Sequence, residues 1–315
     1  MTATVPSLSV VIPVFNGAGT LPALVDRLVA VLGGRGAPCE VILVNDGSRD
    51  DSWAAIQALA ASRPQVVGID LMRNYGQHNA LLCGIRAARH EVIVTMDDDL
   101  QQPPEEIPRL LEALDEGHDV VYGTADQEQH GLWRNASSRL TRAVLGMTMG
   151  AEVAGLVSAF RAFRASVKPA FSEYRSPLLS IDVLLSWATT RFGAVVVRRD
   201  PRVIGTSNYS LRTLIRVAFN MLTGYSIVPL QLATITGFIF TLFGGGVLAV
   251  VIGRYLIGGA AVPGFAFLAS IIAIFSGAQL FALGIIGEYL GRVHLRTMER
   301  PPYIVRVSTG DQGER

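Results

Sequence analysis

The chain has 315 residues, 50% of them hydrophobic and 17% charged, with a formal net charge of +1. This length accommodates one sizeable domain plus an addition. The near-neutral charge gives no global field for nucleic acid, and the apolar excess, concentrated after residue 225, is out of place in an ordinary soluble enzyme.

The first 125 residues alternate strand and helix signals. Leu8 to Val14 reads as a strand, too short an apolar run for a signal peptide. Leu21 to Leu32 has helical periodicity that Gly33-Gly-Arg-Gly breaks, and Glu40 to Val44 is a second strand ending in Asn45-Asp-Gly-Ser. A helix over Ser52 to Ser62, a strand over Val66 to Leu71, a helix over Gln77 to Ala88 and a strand over Glu91 to Met96 follow. Pro104 to Glu116 is a helix with an acidic first turn, and Asp119 to Gly123 another strand. Short strands alternating with helices predict an α/β domain with a mixed, mostly parallel sheet. In such sheets ligands bind beyond the carboxyl ends of the strands, where the polar clusters of this chain fall. Cys39 and Cys83 lack Cys-x-x-Cys spacing and nearby histidines, which predicts buried reduced thiols on a cytosolic face.

Residues 126–175 are basic, with Trp133, Arg134, Arg139, Arg142, Arg161 and Arg164 among apolar residues. Residues 208–224 carry apolar groups at helical spacing with Arg212 and Arg216 opposite, the pattern of a helix in the headgroup plane of a membrane. Val228 to Ile257 and Phe265 to Leu290 each exceed the roughly 20 residues that cross a bilayer, and the uncharged turn Gly258 to Gly264 joins them. Arginines 212 and 216 before the pair, and 292, 296 and 300 after it, put both flanks in the cytoplasm. Pro301 to Val307 reads as a short extended tail. The expected organisation is an α/β domain over 1–165, a basic and amphipathic segment over 166–226, two transmembrane helices over 227–291, and a cytoplasmic tail over 292–315.

The chemistry gathers at the strand ends. Asp97-Asp-Asp-Leu-Gln follows an apolar strand. Alternation along an extended segment puts Asp97, Asp99 and Gln101 on one face, where two carboxylates and an amide oxygen suit Mg²⁺ or Mn²⁺ carrying a substrate phosphate. The same alternation turns Asp98 the other way, although it is kept among the nucleotide-binding candidates with Asp97. Asp46 at the second strand end offers acceptors to a base or ribose, and Gly47 permits a tight turn. Pro13 and Phe15 would wall the same pocket, Arg73 would pair with a diphosphate, and Gln77 completes the candidate set. His78, at a helix start, reads as structural. No P-loop, His–Cys metal spacing or nucleophilic triad is present in the sequence.

Val11-Ile-Pro-Val-Phe-Asn, Val44-Asn-Asp-Gly-Ser, Arg73-Asn-Tyr-Gly-Gln-His, Asp97-Asp-Asp-Leu-Gln, Phe160-Arg-Ala-Phe-Arg, Gly205-Thr-Ser-Asn-Tyr and Gly287-Glu-Tyr-Leu-Gly-Arg together resemble family 2 glycosyltransferases of the GT-A, Rossmann-like fold. More narrowly they resemble the polyprenyl-phosphate glycosyltransferases, the group of dolichyl-phosphate mannose synthase and the bacterial undecaprenyl-phosphate glucosyl and aminoarabinose transferases. The resemblance implies a nucleotide-sugar donor, UDP- or GDP-linked, and a polyprenyl-phosphate acceptor at the bacterial inner membrane. It implies a multi-pass protein with cytoplasmic termini and a homo-oligomer such as a tetramer. Asp46 would contact the base, Asp97 and Asp99 would serve metal and nucleotide, and Arg134, Arg161 and Arg202 would meet the acceptor phosphate and sugar diphosphate. Three departures stand out: Gly17 where the family usually has Glu, Asn208 where many members have Lys, and no Asp in Val153 to Ala159, where some relatives carry a proposed base. A phosphate monoester with a second pKa near 6 is mostly the dianion in the cytosol and has no proton to lose before attack. No base is therefore assigned, with Glu152 and Asp182 in reserve.

Overall fold

The computed structural model describes residues 5–125, 146, 149–175, 179–200, 225–258 and 265–311. Arg134, Arg202, Asn208 and the expected amphipathic helix over 208–224 lie outside the described residues.

Four apolar strands form the parallel centre: β1 (Leu8–Val14), β2 (Cys39–Asn45), β3 (Val66–Leu71) and β4 (Val92–Thr95). Every residue of β1 and β4 is buried, as expected when helices cover both faces of a parallel sheet. The covering helices include α1 (Leu21–Gly33), α2 (Ser52–Ser62), α3 (Gln77–Ala87) and α4 (Ile107–Asp115). Helix α4 starts from a single 3₁₀ turn at Pro104–Glu106, since prolines at helix starts forfeit only an N–H that has no intrahelical partner.

The sheet has eight strands in the order β7-β5-β6-β4-β1-β2-β3-β8. Strand β5 (Val120–Ala125) follows α4; β6 (Arg161–Arg164) runs antiparallel between β4 and β5; β7 (Phe192–Val197) lies parallel to β5. Between them come three short helices, α5 (Ala151–Leu156), α6 (Pro169–Ser172) and α7 (Ile181–Ala188). Two helices follow, α8 (Val228–Gly258) and α9 (Phe265–Thr297), each with a stretch long and apolar enough to cross a membrane.

The extended tail does more than the sequence implied. Residues Val305–Ser308 form β8, antiparallel to β3, with Met72 N donating to Ile304 O at 2.9 Å and Gly68 N to Thr309 Oγ1 at 2.8 Å. The chain accordingly divides into one unit of residues 1–210 with 299–315 and another of 211–298, a partition that assigns most of the expected tail to the sheet domain.

Candidate active site

The parallel register brings three strand ends together. Val14 of β1 pairs with Asn45 of β2, and Val11 with Thr95 of β4. Asp46 N donates to Val14 O at 2.9 Å and Met96 N to Val11 O at 3.3 Å, so the polar residues after each strand leave the sheet at one edge. There they line a cleft of about 280 Å³ formed by Pro13, Val14, Phe15, Asp46, Asn74, Gly76, Gln77, Asp97, Asp98 and Asp99. Of the residues named from sequence, Pro13, Phe15, Asp46, Gln77, Asp97, Asp98 and Asp99 meet in this one place.

Asp46 is buried, and its carboxylate accepts hydrogen bonds from Tyr75 N at 2.6 Å and Gly76 N at 2.9 Å. Burial raises its pKa, an effect these two bonds oppose. The bonds clamp the loop after β3 to the end of β2. Gly47 makes the clamp possible: its φ is +64°, and a Cβ there would lie 2.5 Å from the backbone carbonyl carbon of Arg73. Asp97 accepts from Gln77 Nε2 at 2.7 Å, while its own N–H donates to Gln102 Oε1 at 2.9 Å. Gln102 was not among the sequence candidates, and Gly76 figured only inside the Arg73-Asn-Tyr-Gly-Gln-His motif. The doubled glutamine, and a glycine just before a helix start, were the available signals.

Four expectations change. Asp98 does not turn away from the cleft: β4 stops at Thr95, Leu100 takes φ +60°, and the carboxylates lie on a turn to which strand alternation does not apply. Asp98 Oδ2 instead accepts weakly from Phe15 N at 3.4 Å, and a Cβ on Gly17 would come within 2.4 Å of that oxygen. Arg73 is absent from the cleft lining; its guanidinium sits over the Tyr75 ring, 4.5 Å from the centroid. Arg161 is 1% exposed and pairs with Asp182 while Nε donates to Thr95 Oγ1 at 2.9 Å, so it is no contact for an acceptor phosphate. Gln101 directs its amide oxygen to Arg199 and its amide nitrogen to Asp99.

Of the reserve groups, Asp182 also accepts from Tyr122 Oη at 3.0 Å, which leaves it a structural counter-ion. His78 Nδ1 accepts from Ile181 N at 3.4 Å, linking the starts of α3 and α7.

The electrostatics call for a cation. Burial raises the Asp98 pKa to about 7, with Asp97 and Asp99 adding to the rise against the Phe15 hydrogen bond. Burial raises Asp97 too, and Asp99 raises it further. Adjacent carboxylates that hinder one another's ionisation, in a cleft whose donors are all oxygen and amide, match a hard divalent ion. Among the described residues no three His, Cys, Asp or Glu side chains converge as a ready-made cage. The carboxylates fit a cation whose remaining ligands are substrate oxygens or water, the usual state of Mg²⁺ at phosphates.

A mixed, largely parallel sheet with acidic strand ends gathered at one cleft is the architecture of a GT-A glycosyltransferase. The chain belongs to glycosyl transferase family 2, whose profile matches residues 9–168. It is 35% identical over 306 residues to the undecaprenyl-phosphate 4-deoxy-4-formamido-L-arabinose transferase of Pectobacterium atrosepticum, covering 96% of this chain and 93% of that one. The protein of the same description from Shewanella sediminis is 37% identical over 302 residues, covering 95% and 91%. In fold it is similar to glucosyl-3-phosphoglycerate synthase from Mycobacterium tuberculosis, crystallised with Mn²⁺, UDP and phosphoglyceric acid. The TM-score is 0.51 at 19% identity, over 69% of this chain and 76% of that one.

Proposed function

We propose that the protein transfers a sugar, with inversion, from a nucleotide-sugar donor to undecaprenyl or a related polyprenyl phosphate at the cytoplasmic face of the bacterial inner membrane. The observation that carries this reading is the convergence of Asp46, Asp97, Asp98 and Asp99 on one cleft in a chain that also has two apolar helices of membrane-crossing length. The near-full-length relatives named for undecaprenyl-phosphate sugar transfer support the acceptor class, and the Mn²⁺ and UDP in the M. tuberculosis synthase support the donor class.

Phe15 and the clamped loop holding Asp46 would receive the base, and Gln77 and the Asp97–Asp99 turn the diphosphate end. Mg²⁺ or Mn²⁺, held by Asp97 and Asp99, would offset the charge that grows on the departing nucleoside diphosphate. The attacking phosphate oxygen is already anionic, so this chain's task is to orient two polyanions and screen their repulsion. Arg134 and Arg202 enter as acceptor-phosphate cations on the strength of the sequence.

The test uses full-length protein in detergent with Mn²⁺ and a panel of nucleotide sugars. Release of nucleoside diphosphate is expected only when undecaprenyl phosphate is present, and Asp99→Ala should abolish it. Equal release without the lipid phosphate rejects the acceptor assignment. Transfer to diacylglycerol in its place identifies a different lipid glycosyltransferase, and nucleotide binding with no transfer identifies a degenerate binding subunit.

A further inference from the structure

Gln101 stands between two groups of opposite sign. Its Oε1 accepts from Arg199 Nε at 3.1 Å and Nη2 at 2.8 Å, and its Nε2 donates to Asp99 Oδ2 at 2.8 Å. These partners fix which way the amide points, because a guanidinium only donates and an ionised carboxylate only accepts. The backbone is tied as well: Asp200 N donates to Gln101 O at 2.9 Å. The segment that leaves β7 is thus fastened to the carboxylate turn beside the cleft. Arg199 is exposed. Spending two guanidinium donors on one neutral amide oxygen is a weak use of them. Phosphate oxygens accept the same fork through charge-assisted bonds that are roughly twice as strong.

We infer that Arg199 is a donor-binding residue that moves from Gln101 to the diphosphate of the nucleotide, and that its departure releases the Gln101 amide oxygen as a ligand beside Asp97 and Asp99. The inference rests on the nucleotide-sugar reading given above. It accounts for the two Arg199 hydrogen bonds at the oxygen expected to face the cation. No covalent bond changes; one acceptor of the Arg199 fork is exchanged for another. Since each ligand favours the arrangement that the other needs, nucleotide and divalent cation bind cooperatively, and the coupling is reciprocal.

The experiment measures Mn²⁺ binding by electron paramagnetic resonance to full-length wild type, Arg199→Met and Arg199→Lys in detergent. Titrations are run alone, with UDP and with GDP, and corrected for Mn²⁺–nucleotide complexes in solution. In wild type, one of the nucleotides should tighten Mn²⁺ binding by about tenfold. Arg199→Met, with the Gln101 oxygen released from the start, should bind Mn²⁺ alone more tightly than wild type and lose most of the nucleotide enhancement. Lysine, a point charge without the fork, should fall between. Thermal unfolding checks that these exposed substitutions leave the fold intact. If Arg199→Met matches wild type in both affinity and enhancement, the inference is overturned and the nucleotide-sugar reading stands. If wild type shows no enhancement with either nucleotide, the donor reading falls and the inference with it.

Discussion

His78 shows how a residue of catalytic type is taken up by structure. Burial at the start of α3 holds its imidazole below the ordinary value, with Arg161 acting in the same direction and Asp182 against it. The folded protein therefore prefers neutral His78. The stability this contributes is complete above the unfolded value of about 6.5 and is lost as pH falls through the depressed folded value. Melting temperatures of wild type and His78→Gln should thus converge toward low pH and separate toward pH 8, because glutamine keeps an acceptor for Ile181 N without titrating. A constant difference across that range would show that His78 does not titrate as described. At this scale the sequence told most about residues directly after a strand, such as Asp46 and Asp97, because leaving a parallel sheet at its carboxyl edge fixes their position. It told little about Arg199, whose partner Gln101 lies 98 positions away, or about Asp98, whose direction depends on where β4 ends.

Among elements, the tie between β6 and α7 matters most. Arg161 on β6 and Asp182 in the first turn of α7 are both buried and form an ion pair, with Thr95 of β4 and Tyr122 of β5 bonded to it. Removing one partner of a buried pair strands the other charge, at a cost of about 3–5 kcal/mol, whereas replacing both with apolar groups is often close to neutral. Asp182→Ala should therefore lower the stability of the protein far more than Asp182→Leu combined with Arg161→Met, as read from denaturant unfolding. A stable Asp182→Ala that has lost only turnover would restore Asp182 as a catalytic base. The parallel strands and their helices were legible because a strand buried on both faces is a continuous apolar run and each helix has its own period. The antiparallel insertion β6 was not, since Arg161-Ala-Phe-Arg looks like a basic surface segment until Asp182 supplies its counter-charge from 21 residues further on.

At the level of the whole chain, β8 constrains the segment that carries the two apolar helices. Residues 211–298 leave from and return to the same sheet domain, so they cross a bilayer an even number of times or not at all. This agrees with the pair of apolar helices and with the arginines flanking them. In intact cells a cysteine placed in the predicted turn, as Ala260→Cys, should react with a membrane-impermeant maleimide, whereas Arg306→Cys should react only after lysis. Labelling of Arg306→Cys from outside would refute the orientation. The two long apolar helices were plain from hydropathy alone; the return of the tail was not, because four ordinary residues pairing with a strand more than 200 positions earlier leave no local pattern. That pairing also sets an order in time. Strand β8 is made after both apolar helices, so the outer edge of β3 stays open while they are synthesised. Open strand edges invite aggregation, and this one is closed only by a strand that follows both apolar helices in the chain.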